Sequence, residues 1–149
     1  MTLSLRYLIA PLLVSVCLVS CTSSEEEAVH EAEADVLALH DEVMPRMGEA
    51  RALRRRLDKR IAALDSVTGT TVEQMRVGEA QAQAKLLRRR LSESDSLMIS
   101  WMDNYRSDSI RLLKPSDALR YLTGEKQKLS DVKARLTNSI EKTRQFLDD

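Results

Sequence analysis

The chain has 149 residues, a single-domain length, and its 23 basic and 23 acidic residues cancel. That balance excludes the marked basic excess of a dedicated nucleic-acid binder. Aromatic residues at 3%, only four glycines and three prolines, and no strand-like alternation point to long helices.

The chain opens with one cation, Arg6, and an apolar run from Tyr7 to Val19 that is broken only by Pro11 and Ser15. This is the layout of a secretory signal, read as residues 1–20. The run is too short for a permanent transmembrane helix, which needs about 20 apolar residues. It closes on Leu18-Val19-Ser20-Cys21, which resembles the lipobox of bacterial lipoproteins. The resemblance implies diacylation of the Cys21 thiol, cleavage after Ser20, acylation of the new amine with a palmitate-type chain, and a place on a membrane of the cell envelope. Cys17 would leave with the leader and Cys21 would be consumed by lipid, so packing alone must hold the mature chain. Only Arg6 among the charged residues precedes Cys21, so the mature chain carries a net formal charge of −1. Residues 21–28 read as the acylated cysteine and an acidic linker. The Glu25–Glu27 run resembles the acidic surface-export tags of Bacteroidetes-type lipoproteins; equally, it is a solvated spacer with favourable helix N-terminal charge.

Residues 29–149 read as three helices. Val29, Val36, Val43, Ala50, Leu57 and Leu64 recur at sevens, with Leu39, Met47, Leu53 and Ile61 between them, as in the seam of a packed helix. Pro45 removes one backbone hydrogen bond and predicts a kink near Asp41–Met44. The first helix should end near Val67–Thr70, where Gly69 is placed to supply a left-handed cap and Thr70 or Thr71 the next N-cap. A second seam follows: Val77, Ala84, Leu91, Met98 and Tyr105, alternating with Ala80, Leu87 and Trp101, with Ser94 as a polar interruption. It predicts a helix from about Val72 to Tyr105 or Ser107. Lys114-Pro115-Ser116-Asp117 marks a restart. Leu119, Leu122, Leu129, Val132, Leu136, Ile140, Phe146 and Leu147 form the third seam. Short connections predict an all-α, up-down-up antiparallel three-helix bundle or elongated coiled coil.

A hairpin turning near Gly69 would place residues whose numbers sum to about 138 at one height, given equal rise in both helices. One layer then gathers His40, Met44 and Met47 with Met98, Trp101 and Met102, each set on one helical face. Thioethers and imidazole suit Cu(I), and the set is similar in type to the ligands of small periplasmic copper chaperones. The competing reading is plain packing, because methionine fills the irregular space a proline creates. Apart from this candidate Cu(I) site, no cofactor is indicated; no CXXCH haem attachment occurs. A second feature is a basic band: Arg51, Arg54, Arg55, Arg56, Lys59 and Arg60 on the first helix, and Lys85, Arg88, Arg89 and Arg90 on the second, with Arg51, Arg54, Arg55, Lys85, Arg88 and Arg89 as its candidate binding residues. The same rule sets Arg51 beside Arg88 and Arg54 beside Lys85. Such a band is either a solvated face or a surface for an anion or an acidic partner.

Nothing points to catalysis. No phosphate loop, G-x-S-x-G turn or HExxH is present, and the mature histidines are His30 and His40 alone. His40, Asp41 and Glu42 are helix neighbours whose side chains are expected to point apart.

Several segments fall in one order: Leu39–Met47 (LHDEVMPRM), Leu53–Leu57, Ser100–Tyr105 (SWMDNY), Tyr121–Glu125 and Asn138–Ile140. Together they resemble short Bacteroidetes lipoproteins with a helical mature region, often labelled "viral A-type inclusion protein". The resemblance implies a lipoprotein and a helical fold, and supplies no activity. The expectation is a non-enzymatic, lipid-anchored envelope module that acts structurally or by binding protein, itself included. The alternative is a Cu(I)-binding or metal-sensing lipoprotein.

Overall fold

The computed structural model describes the backbone of residues 19–148 and the side chains of residues 24–148. The signal-peptide reading of residues 1–18 and the side chain of Cys21 lie outside the described residues. Four helices follow in order: α1 (Val19–Asp65), α2 (Thr71–Asn104), α3 (Ser107–Ile110) and α4 (Pro115–Asp148). The three long helices each pack against the other two, as an all-α bundle. Residues 22–28, read from sequence as a linker, belong to α1 in this structure.

The heptads build the core where three helices meet. Val36, Val43, Met47, Ala50, Leu53 and Leu57 of α1 are buried, facing Ala84, Leu87, Leu91, Met98 and Trp101 of α2 and Leu122, Leu129, Val132, Leu136 and Ile140 of α4. The polar interruptions belong to the same seams. Ser94 donates to the Arg90 carbonyl, Ser139 to that of Arg135 and Thr143 to that of Ser139, so each buried hydroxyl finds its acceptor four residues back on its own helix. α1 runs on through Pro45. The proline sits on the exposed face, where water can take the carbonyl that loses its partner.

Ion pairs fix the register. Asp35–Lys126, Glu42–Lys133 and the Arg46–Thr137 hydrogen bond all separate their partners by 91 residues, so α1 and α4 run parallel with a constant offset. Arg51–Asp95, Asp58–Arg88 and Asp65–Gln81 all sum to 146, so α2 runs antiparallel to α1. That corrects the expected pairing by eight residues, or about 12 Å at 1.5 Å per residue. The cause lies in the connection. Residues 66–70 form no tight reversal, and the first ten residues of α2 lie beyond the height of Asp65. Gly69 correspondingly does not adopt the left-handed conformation. Its smallness serves another purpose: a Cβ there would lie 2.5 Å from the Glu73 carboxylate. That carboxylate accepts from the Thr70 amide at 2.8 Å and its hydroxyl at 2.9 Å, closing a capping box at the start of α2.

By the same register, α4 ends level with Leu57, and Asp148 indeed pairs with Arg56 at 3.8 Å. Beyond that height α1 and α2 have no third helix, which is why Ile61 and Leu64 are only partly buried and Val67, Val72 and Met75 are exposed.

Candidate functional site

The His/Met layer is assembled only in part. Met47 and Met98 are buried in the core and Met44 packs against it, whereas Met102 is an exposed side chain. His40 stacks on Trp101, with ring centroids 5.5 Å apart, and Trp101 continues the stack to Tyr105 at 4.9 Å and Tyr105 to Tyr121 at 6.3 Å. His40 Nδ1 also lies 3.0 Å from Asp41 Oδ1. This corrects the expectation that neighbours on one helix stay apart, although the His40 side chain is 21% exposed and that of Asp41 81%. Among the described residues no group of three or more His, Cys, Asp or Glu side chains is arranged to hold a metal ion.

The aromatic stack carries two buried polar atoms, Trp101 Nε1 and the Tyr105 hydroxyl, with no hydrogen-bond partner. Burial, and then the negative charge of Glu33 with Tyr121 and Glu125, pushes the Tyr105 phenol up to about 12. Sequence gives no sign of this, because nothing in a heptad tells whether a seam tyrosine can reach water.

The basic band of α1 and α2 is partly paired with acids. The corrected register brings Asp95 between Arg51 and Arg54: Arg51 donates to it at 2.9 and 3.2 Å and Arg54 at 3.5 Å. Arg88 pairs with Asp58 at 2.7 Å, Arg89 with Glu93 at 3.4 Å, and Lys85 donates to Gln81. The expected approach of Arg51 to Arg88 and Arg54 to Lys85 is thus replaced: Arg51 and Arg54 share Asp95, Arg88 meets Asp58, and Lys85 finds only the neutral Gln81. Arg55, Lys59, Arg60 and Lys85 make no ion pair among the described residues.

Uncompensated charge also lies in the groove between α2 and α4. A hollow of about 290 Å³ is lined by Arg90, Glu93, Ser94 and Leu97 from α2 and by Arg135, Asn138, Ser139 and Lys142 from α4. The side chains of Arg90, Arg135 and Lys142 make no ion pair among the described residues, while Glu93 is engaged by Arg89. Hollows of about 420 and 450 Å³ continue the groove in both directions. One reaches Leu86 and Phe146, the other Trp101, Lys128 and Val132. Glu125, 4% exposed, is neutralised there by Lys128 at 2.7 Å. The spacing carried a signal for this groove: Arg135 and Lys142 stand seven residues apart on α4, one face of a helix.

Among the described residues no helix is long and apolar enough to cross a membrane. Compared with known proteins, the chain matches no family model, no curated protein and no solved structure.

Proposed function

We propose that this is a non-catalytic, lipid-anchored helical module of the cell envelope that binds an acidic protein segment in the α2–α4 groove. One observation carries the interaction half of the reading: Arg90, Arg135 and Lys142 border one groove and make no ion pair among the described residues, while the groove's Glu93 and Glu125 are engaged by Arg89 and Lys128. Apolar side chains along the groove, Leu86, Leu97, Val132 and Phe146, supply desolvated contact beside the charges. The anchor half rests on Leu18–Cys21, whose resemblance to a lipobox implies acylation at Cys21. A photo-crosslinker at Leu97 in membranes tests the module. The expected adduct is a second protein, captured less as salt rises and lost in an Arg90→Ala/Arg135→Ala/Lys142→Ala variant. Recovery of uncrosslinked protein alone refutes it.

A Cu(I)-binding reading draws on a separate feature, the joint burial of Met47 and Met98 with Met44 and the His40–Trp101 pair against them. Chelator competition decides it. A site built from these residues loses affinity in a His40→Ala/Met98→Ala variant, and unchanged affinity removes it.

A further inference from the structure

The end of the bundle opposite the α1–α2 tip carries a second unusual surface. With α4 offset from α1 by 91 residues, Pro115 lies level with Ser24, so the turn before α4 stands at the height where α1 begins. Cys21 is in the first turns of that helix. The turn is Arg111-Leu112-Leu113-Lys114, and Leu112 is 87% exposed, Leu113 41%.

This exposure is built in. α3 sinks Ile110 into the core, and the two leucines follow directly from it. The Leu112 amide donates to the Ser109 carbonyl and the Leu113 amide to that of Ile110, both at 3.1 Å. On the other side, the amides of Asp117 and Ala118 both donate to the Lys114 carbonyl at 2.9 Å. The turn is therefore held at both ends while Leu112 at its apex is turned outward; Leu113 and Arg111 also border a hollow of about 260 Å³ shared with Glu26, Val29 and Glu33 of α1. Arg111 and Lys114 flank the apex, and neither makes an ion pair among the described residues.

We infer that the Arg111–Lys114 turn is a second membrane contact, with Leu112 and Leu113 entering a phospholipid interface and Arg111 and Lys114 meeting its phosphates. This rests on the anchor reading above, which sets the same end of the bundle against the bilayer. Two leucines flanked by a guanidinium and an ammonium match the layering of that interface, where cations stay at the phosphates and apolar side chains reach the acyl boundary. Glu25, Glu26 and Glu27 stand on α1 at the same end, so the end as a whole is not basic. The attraction is local to the turn, and its target is the phosphate of any phospholipid, zwitterionic ones included. The contact also gives the anchor a function that lipid chains alone lack. A single acylated residue leaves the rod free to swivel, and a second point fixes its tilt.

The test places an environment-sensitive fluorophore on Ser109→Cys, an exposed position in the preceding turn, in the full acylated protein in phosphatidylcholine vesicles. A second preparation carries it on Val67→Cys at the far tip. The label at residue 109 is expected to emit further to the blue and to be quenched several-fold less by aqueous iodide than the label at 67. Leu112→Glu/Leu113→Glu should abolish that difference; both residues are exposed enough for the fold to tolerate the change. Mass spectrometry of the same samples reads Cys21. Acylated protein with equal quenching at the two positions overturns the turn contact and leaves the anchor standing. Unmodified Cys21 overturns the anchor reading; vesicle-bound protein shielded at 109 then still supports the contact, and its absence overturns that too.

Discussion

Replacing Asp95 with asparagine keeps the shape of the side chain and removes the charge set between Arg51 and Arg54. Asp95 is 18% exposed and takes three guanidinium hydrogen bonds, at 2.9, 3.2 and 3.5 Å. A fully exposed pair contributes about 0.2–1 kcal/mol. A hydrogen bond to a charged group in a shielded place contributes about 1.5–3 kcal/mol. Arg51 is half exposed and the 3.5 Å contact is long, so the expected loss is about 1–2 kcal/mol, between those limits. For a chain of this size that lowers the melting temperature by roughly 4–8 °C. Thermal unfolding followed by far-UV circular dichroism at low salt measures it. Near 1 M salt, where the screening length falls to about 3 Å, the difference between parent and variant should shrink by about half or more. Asp58→Asn, which breaks the more exposed pair with Arg88, should lose about 0.5 kcal/mol. A neutral Asp95→Asn, or a loss indifferent to salt, would refute both the register and the pairing of Asp95 with Arg51 and Arg54.

Leu136→Ala empties a fully buried position on α4 facing both other helices and should cost about 2–5 kcal/mol, read as a lower urea midpoint. Tyr105→Phe removes a buried hydroxyl that has no partner, so stability at neutral pH should be unchanged or higher. The same variant should alter the alkaline limb. The folded phenol ionises near 12, above its ordinary value of 10, so the stability it contributes is complete below pH 10 and is lost as pH rises towards 12. Tyr105→Phe should flatten that decline in a pH series of urea titrations. Thr70→Ala should cost about 1 kcal/mol by opening the N-cap of α2. The Thr70 amide, then its hydroxyl, hold Glu73 below its usual value, so that contribution is present above the ordinary carboxylate range and falls as pH drops through the folded value. The gap between Thr70→Ala and parent should therefore narrow in acid.

The core was legible because a heptad is a local pattern. Val36, Val43, Ala50 and Leu57 occupy the same stripe whatever α1 packs against, and so do Leu122, Leu129 and Leu136. Glu125, Ser139 and Thr143 keep the spacing of that stripe but are polar. Position could have found them, and composition hid them. The hairpin register was not legible, because it depends on the path of residues 66–70 through space. The eight-residue displacement separated the arginines that sequence had paired and brought Asp95, unnoticed in the sequence, into contact with Arg51 and Arg54. The α2–α4 groove was legible only in part: Arg135 and Lys142 share one face of α4, but Arg90 joins them only once two helices 45 residues apart lie side by side.

The long parallel offset between α1 and α4 has a consequence for how the chain is made. α1 leaves the ribosome first, yet Asp35, Glu42 and Arg46 wait for partners translated 91 residues later. At about 5–20 residues per second, that delay is on the order of 5–20 s. During it the α1–α2 pair forms from closer segments, while the stripe reserved for α4 stays uncovered. Between the completion of α2 at Asn104 and the release of the last turns of α4, the nascent protein is thus a sticky two-rod intermediate, a form that a holdase can grip.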